Sequence, residues 1–127
     1  MKKTFIILVL VLISMTSIAK REPPKQVDPL EYKGIIYQTL PWAAENGTNQ
    51  NGGFIQVIEK DTNKVLWQLQ VYKTKYLSTM ERDVQDVFIT GLKIDKNNEM
   101  LLVQSEDDLM HKVSLVSRRV IGVKLNT

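Results

Sequence analysis

Val65-Leu66-Trp67-Gln68-Leu69-Gln70-Val71 reads with a period of two: Val65, Trp67, Leu69 and Val71 fall on one side of an extended chain, Gln68 and Gln70 on the other. A period of two is the signature of a half-buried β-strand, since successive side chains of a strand point to opposite faces. Working outward, Ile121, Val123 and Leu125 alternate with Gly122 and Lys124, and Leu109, Val113 and Leu115 do so around His111 and Ser114.

Turn chemistry separates these runs. Asp61-Thr62-Asn63-Lys64 divides Phe54–Glu59 from Val65–Tyr72, and Asp95-Lys96-Asn97-Asn98 divides Phe88–Ile94 from Met100–Gln104. Asn tolerates the left-handed backbone that tight hairpins need. Ser105-Glu106-Asp107-Asp108 leads into Leu109–Val116, and Ser117-Arg118-Arg119 into the last run. With Gly34–Thr39 as the first strand, the expectation is an all-β domain: a single antiparallel meander of about seven strands, arranged as a sandwich, a small barrel or a propeller-like sheet. The expected core is Phe54, Ile58, Val65, Trp67, Leu69, Val71, Phe88, Leu92, Leu102, Val113, Leu115, Ile121 and Val123. Gly91 inside a strand predicts a bulge, and Ser78–Gln85 a helical turn capped by Ser78 or Thr79.

The N-terminal end sets the compartment. Met1-Lys2-Lys3 is positively charged, Phe5–Met15 is an apolar run shorter than the roughly 20 residues of a membrane-spanning helix, and Thr16-Ser17-Ile18-Ala19 is a small-residue cleavage motif. This predicts a signal peptide over residues 1–19, cleaved after Ala19, and a periplasmic or secreted product with no stable membrane insertion. The chain contains no cysteine, which excludes disulfides, thiolate chemistry and lipidation at a signal cysteine. Removing Lys2 and Lys3 lowers the 17 basic residues to 15 against 14 acidic ones, so the net charge falls from +3 to +1. A near-neutral chain with interspersed charges gives no reason to expect nucleic acid as a partner. Residues 20–29 carry three of the four prolines and read as a flexible leader, which leaves 30–127 as the β domain.

One hairpin carries a resemblance. Val57-Ile58-Glu59-Lys60-Asp61-Thr62-Asn63-Lys64-Val65-Leu66-Trp67 resembles the blade repeat of quinoprotein-like (PQQ-type) β-propellers, in which a small residue, an acid, a Thr-Gly-Lys turn and a docking Trp recur at this spacing. Thr62, Lys64 and Trp67 match. Val57, Glu59 and Asn63 stand at the positions of the small residue, the acid and the turn glycine. Leu101–Val120 looks like a second blade edge without the Trp. The resemblance implies hairpin geometry alone, because no quinone-binding or calcium-binding motif accompanies it.

No catalytic, cofactor-binding or metal-binding constellation stands out. His111 is the only histidine, and a metal site or a triad needs partners around it that the local sequence does not supply. Its alternation with Leu109 and Val113 points it to the core side. Glu81, Asp83 and Asp86, like Glu106, Asp107 and Asp108, lack calcium-loop spacing and read as solvated charge. Asn46-Gly47-Thr48 fits a glycosylation sequon and equally a polar turn. The expectation by elimination is an exported, non-enzymatic, protein-binding module of the cell envelope, of inhibitor or immunity type, whose partner is another envelope protein. The alternative is a β-barrel carrier for a small apolar ligand. The expected contact surface is the loop Leu40–Gly53, with Trp42 as anchor and Asn46, Asn49, Gln50 and Asn51 around it, since an aromatic in an irregular Asn/Gly loop is the composition of an adaptable binding surface.

Overall fold

The computed structural model describes residues 22–126. The expected signal peptide and its cleavage point lie outside them. Eight strands form two antiparallel four-stranded meanders. The first contains β1 (Leu30–Tyr32), β2 (Ile35–Thr39), β3 (Phe54–Glu59) and β4 (Val65–Gln70). The second contains β5 (Ile89–Asp95), β6 (Met100–Ser105), β7 (Leu109–Ser114) and β8 (Val120–Leu125). Two single-turn helices, α1 (Ala43–Asn46) and α2 (Arg82–Gln85), lie in the β2–β3 loop and in the segment joining the sheets.

The all-β antiparallel class expected from the alternation is what the chain adopts, with two differences. There are eight strands, because Leu30–Tyr32 pairs with Ile35–Thr39 across Lys33-Gly34. The single meander is divided in two, because residues 71–88 cross from one sheet to the other without joining either. The sheets do not close into a barrel, so the enclosed mouth on which a barrel carrier depends is not formed.

Register explains which face each sheet buries. Tyr37, Val57 and Trp67 lie opposite one another across β2, β3 and β4, as do Thr39, Ile55 and Leu69. In the second sheet the rows are Leu92, Val103 and His111, and Ile94, Leu101 and Val113. These apolar rows meet in one core, in which Ile55, Val57, Leu101, Val103 and Val113 are completely buried. Each such aliphatic side chain contributes roughly 1.5–3 kcal/mol by leaving water. The outward face of the first sheet is polar: Gln38, Gln56 and Gln68 align across three strands, and the Gln68 amide donates to Gln56 Oε1 at 3.1 Å.

The expected core is corrected in part. Ile58, Val71, Phe88 and Val113 are buried as expected, but Val65 (46 % exposed), Ile121 (58 %) and Val123 (52 %) are not. β4 and β8 are edge strands, and each carries a bulge: Val57 and Ile58 pair with Trp67 and Val65, and Lys112 and Val113 with Gly122 and Val120, so Val65 and Ile121 lose the parity that the alternation gives them. Leu102 faces outward between the fully buried Leu101 and Val103, the consequence of a one-residue choice of face in Met100-Leu101-Leu102-Val103, where apolar residues occupy both parities. Gly91 does mark a bulge: the register shifts between Ile89 and Gly91.

Candidate functional site

The β2–β3 loop is built largely from its own side chains. Leu40 is buried and its N–H bonds Phe54 O, while Gly52 N–H donates to Pro41 O at 2.8 Å, closing the loop at its base. Between these ends α1 starts after Trp42 without a side-chain cap. The N–H of Ala43 is satisfied instead by Asn51 Oδ1 at 2.9 Å, a substitute for the missing cap oxygen. At the other end Gly47 takes a left-handed conformation (φ 70°) and closes the turn through its N–H to Ala43 O. Asn46 Nδ2 donates to Trp42 O.

The expected contact residues therefore separate. Gln50 points inward and is buried: its amide donates to Gly52 O and Tyr72 O and accepts from Thr74 N–H. Asn51 and Asn46 are half-buried builders of the loop. Asn49 is exposed and accepts from Gln70 at 3.4 Å. Trp42 is half-buried, with its ring edge-on to Phe88 at a centroid distance of 5.2 Å, a favoured aromatic geometry.

The segment joining the sheets supplies the opposite wall. Asp86 is buried and accepts from Tyr76 OH at 2.5 Å and from Asn51 Nδ2 at 3.0 Å, so a single carboxylate ties this segment to the Trp42 loop. Burial and the neighbouring Asp86 push the Tyr76 hydroxyl up to about 12, which keeps it a donor. The Arg82 guanidinium lies over the Tyr76 ring at 3.9 Å. Tyr72 OH donates to Val87 O at 2.5 Å. Contrary to the expected Ser or Thr cap, α2 follows Glu81 with no side-chain cap. The Gln85 side chain organises the turn, bonding Leu77 N–H and the carbonyls of Leu77, Met80 and Glu81.

Gly52 allows the two walls to meet. It has a φ of +71°, and a Cβ placed on it would lie 2.3 Å from Val87 O. Only glycine fits so close to another backbone. Above this junction lies a groove of about 390 Å³, lined by Leu40, Pro41, Trp42, Phe54 and Phe88 on the body and by Pro24, Lys25, Gln26, Val27 and Pro29 on the leader. A second cleft of about 230 Å³ lies between Glu22-Pro23-Pro24 and Trp42, Asp83, Asp86 and Phe88. Residues 22–29, expected as a flexible leader, thus border the same depression as Trp42.

Elsewhere Ser105, Asp107 and His111 form a compact polar trio. Ser105 Oγ is 3.0 Å from His111 Nε2 and donates to the Asp107 carboxylate. Ser105 Oγ also lies 3.3 Å from Leu109 O, and the Asp107 carboxylate bonds the serine rather than the imidazole. His111 Nδ1 is buried with no hydrogen-bond partner. A nucleophilic triad needs the carboxylate on the imidazole nitrogen that faces away from the serine. Ser105 and His111 are also only 1 % and 4 % exposed. The trio is arranged as core support, with His111 stacked on Tyr72 at 4.8 Å. Glu106, beside it, accepts the N–H of Phe88 at 2.8 Å. Among the described residues no three His, Asp or Glu side chains are gathered closely enough to hold a metal ion, and no helix is long and apolar enough to cross a membrane.

No protein-family model matches the chain, and comparison with curated proteins finds no significant match.

Proposed function

We propose that this is an exported binding module that recognises another envelope protein through the groove beside Trp42. The supporting observation is the Trp42–Phe88 pair. Phe88 is buried and Trp42 half-buried across it, at the rim of a concavity whose walls are held by Asn51, Asp86 and Gly52. A preorganised aromatic at the edge of a groove binds with little loss of side-chain freedom, and such residues carry a disproportionate share of binding energy. Asn49 supplies an exposed polar group on the same loop, whereas Gln50 holds the loop from within.

The test is capture from an envelope extract by the immobilised chain beginning at Lys20, beside its Trp42→Ala variant and an Asn97→Ala control in the distant β5–β6 turn. One protein should be retained by the wild type and the control and lost from the Trp42 variant. Purified, it should bind the variant at least about 30-fold more weakly, the effect of a hot-spot truncation. Equal retention by all three rules out this surface.

A further inference from the structure

Half-burial recurs at every third residue from the leader into β1. Pro24 and Val27, and Leu30 at the start of β1, are half-buried, while Glu22, Pro23, Lys25, Gln26, Asp28 and Pro29 are exposed. A repeat of three is neither the period of a strand nor that of an α-helix. It matches polyproline II, in which every third side chain returns to the same side. Prolines at 23, 24 and 29 favour this habit, and Pro24 and Val27, together with Lys25, Gln26 and Pro29, line the groove formed with Trp42 and Phe88.

Resting on the binding function proposed above, we infer that the groove is a receptor for an extended, proline-containing peptide with apolar residues three apart, and that Glu22–Pro29 is its resident, displaceable occupant. Grooves walled by aromatic side chains suit such peptides, because the polyproline conformation is largely preformed and loses little entropy on docking. Three observations favour an incoming peptide over a permanent strap. Among the described residues, no hydrogen bond joins residues 22–29 to the body. Space of about 390 Å³ remains between the segment and the groove wall. Of the described residues ahead of β1, two, Pro24 and Val27, are half-buried. A tethered segment competes at an effective concentration on the order of mM, so weak contacts suffice to hold it and a better-fitting peptide can replace it.

The experiment uses a fluorescent synthetic peptide with the sequence of residues 22–30, Glu-Pro-Pro-Lys-Gln-Val-Asp-Pro-Leu, titrated by anisotropy against the chain beginning at Lys20. Pro24→Ser combined with Val27→Ser loosens the resident segment without touching the core. The peptide should bind this double variant at least about tenfold more tightly than the wild type, the gain expected when an occluded state is depopulated. Adding Trp42→Ala should abolish that binding, and a peptide with the same residues reordered to lose the three-residue spacing should bind about tenfold more weakly. Equal affinity for the wild type and the double variant overturns the resident-occupant assignment, and no binding to either overturns the peptide specificity. If the peptide fails while capture still depends on Trp42, only this inference falls. If capture is indifferent to Trp42, the binding function itself falls.

Discussion

The two sheets share a strand count and a meander order, yet they are connected differently. In the second sheet every connection is a tight turn: residues 96–99, 106–108 and 115–119 join its four strands. In the first sheet two connections are equally short, but the third runs from Leu40 to Gly53 and carries α1, Trp42 and a lattice of Asn and Gln side-chain bonds. The second sheet acts as scaffold, its apolar face packed into the core except along the edge strand β8, where Ile121, Val123 and Leu125 stay exposed. The first is scaffold on three strands and a shaped surface at one end. Binding surfaces concentrate in long loops because those segments are free of ladder constraints, provided something else fixes them. Here the fixing comes from the interlocked residues Gln50, Asn51, Gly52 and Asp86.

The most direct way to break this asymmetry is to force the loop off its seat. Gly52→Ala places a methyl group 2.3 Å from Val87 O at a left-handed φ, so both steric overlap and backbone conformation oppose it. The expected loss is about 3 kcal/mol, read as a shift of the urea midpoint at unchanged slope. Gly91→Ala is the matching control in the second sheet. Its Cβ would approach nothing closer than 4.0 Å, so a loss as large as that of Gly52→Ala would show that the close junction with Val87 is not the source of the effect.

An effect intermediate in size should come from the second sheet's buried histidine. Desolvation holds the His111 pKa below its ordinary value of 6.5, with the Asp107 charge opposing it more weakly. Its folded pKa is therefore lower than its unfolded one. The unfolded chain takes up the proton first, so the stabilisation is complete above 6.5 and is lost as pH falls through that value toward the folded pKa. Chemical denaturation between pH 8 and about pH 5 should show stability falling on the acid side of 6.5. His111→Phe keeps a ring on Tyr72, leaves the Ser105–Asp107 bond in place and removes the titration, so its profile should be flatter. An unchanged slope in this variant would assign the acid sensitivity to other groups.

Legibility differed between the sheets for physical reasons. Trp67–Val71 announced its strand because Gln68 and Gln70 alternate with apolar residues, and Asp61-Thr62-Asn63-Lys64 announced its hairpin. Phe54–Glu59 and Met100–Ser105 announced strands but not faces, since Phe54 and Ile58 compete with Ile55 and Val57, and Leu102 competes with Leu101 and Val103. Only the facing sheet decides such cases. The exposure of Val65, Ile121 and Val123 was equally hidden, because alternation shows neither the bulges that shift Val65 and Ile121 nor how far the cover extends over an edge strand. At the site, Trp42 stood out as an aromatic in a polar loop. Phe88 did not, because its pairing with Trp42 spans 46 positions of sequence. Gln50 had the composition of a contact residue, but its partners Tyr72 and Thr74 lie more than twenty positions away, and no local pattern could turn it inward.

The smallest expected effect sharpens the comparison at the hairpins. Among the described residues five other than glycine have left-handed φ, one in each short connection within a sheet: Lys33, Asn63, Glu99, Asp108 and Arg118. Asn63 was readable as such a position, whereas in the β5–β6 turn the left-handed residue is Glu99 (φ 50°), just after the Asn97-Asn98 pair that seemed suited to it. A side chain with a Cβ resists this region by about 1–2 kcal/mol, and Asn resists it less because its short amide can bond locally. Glycine removes the steric penalty but gives back part of the gain as unfolded-state entropy. Glu99→Gly should therefore stabilise by about 0.5–1 kcal/mol and Asn63→Gly by less, a ranking that paired thermal melts can resolve. If Glu99→Gly destabilises instead, the Glu99 side chain contributes more to the β5–β6 turn than its backbone conformation costs.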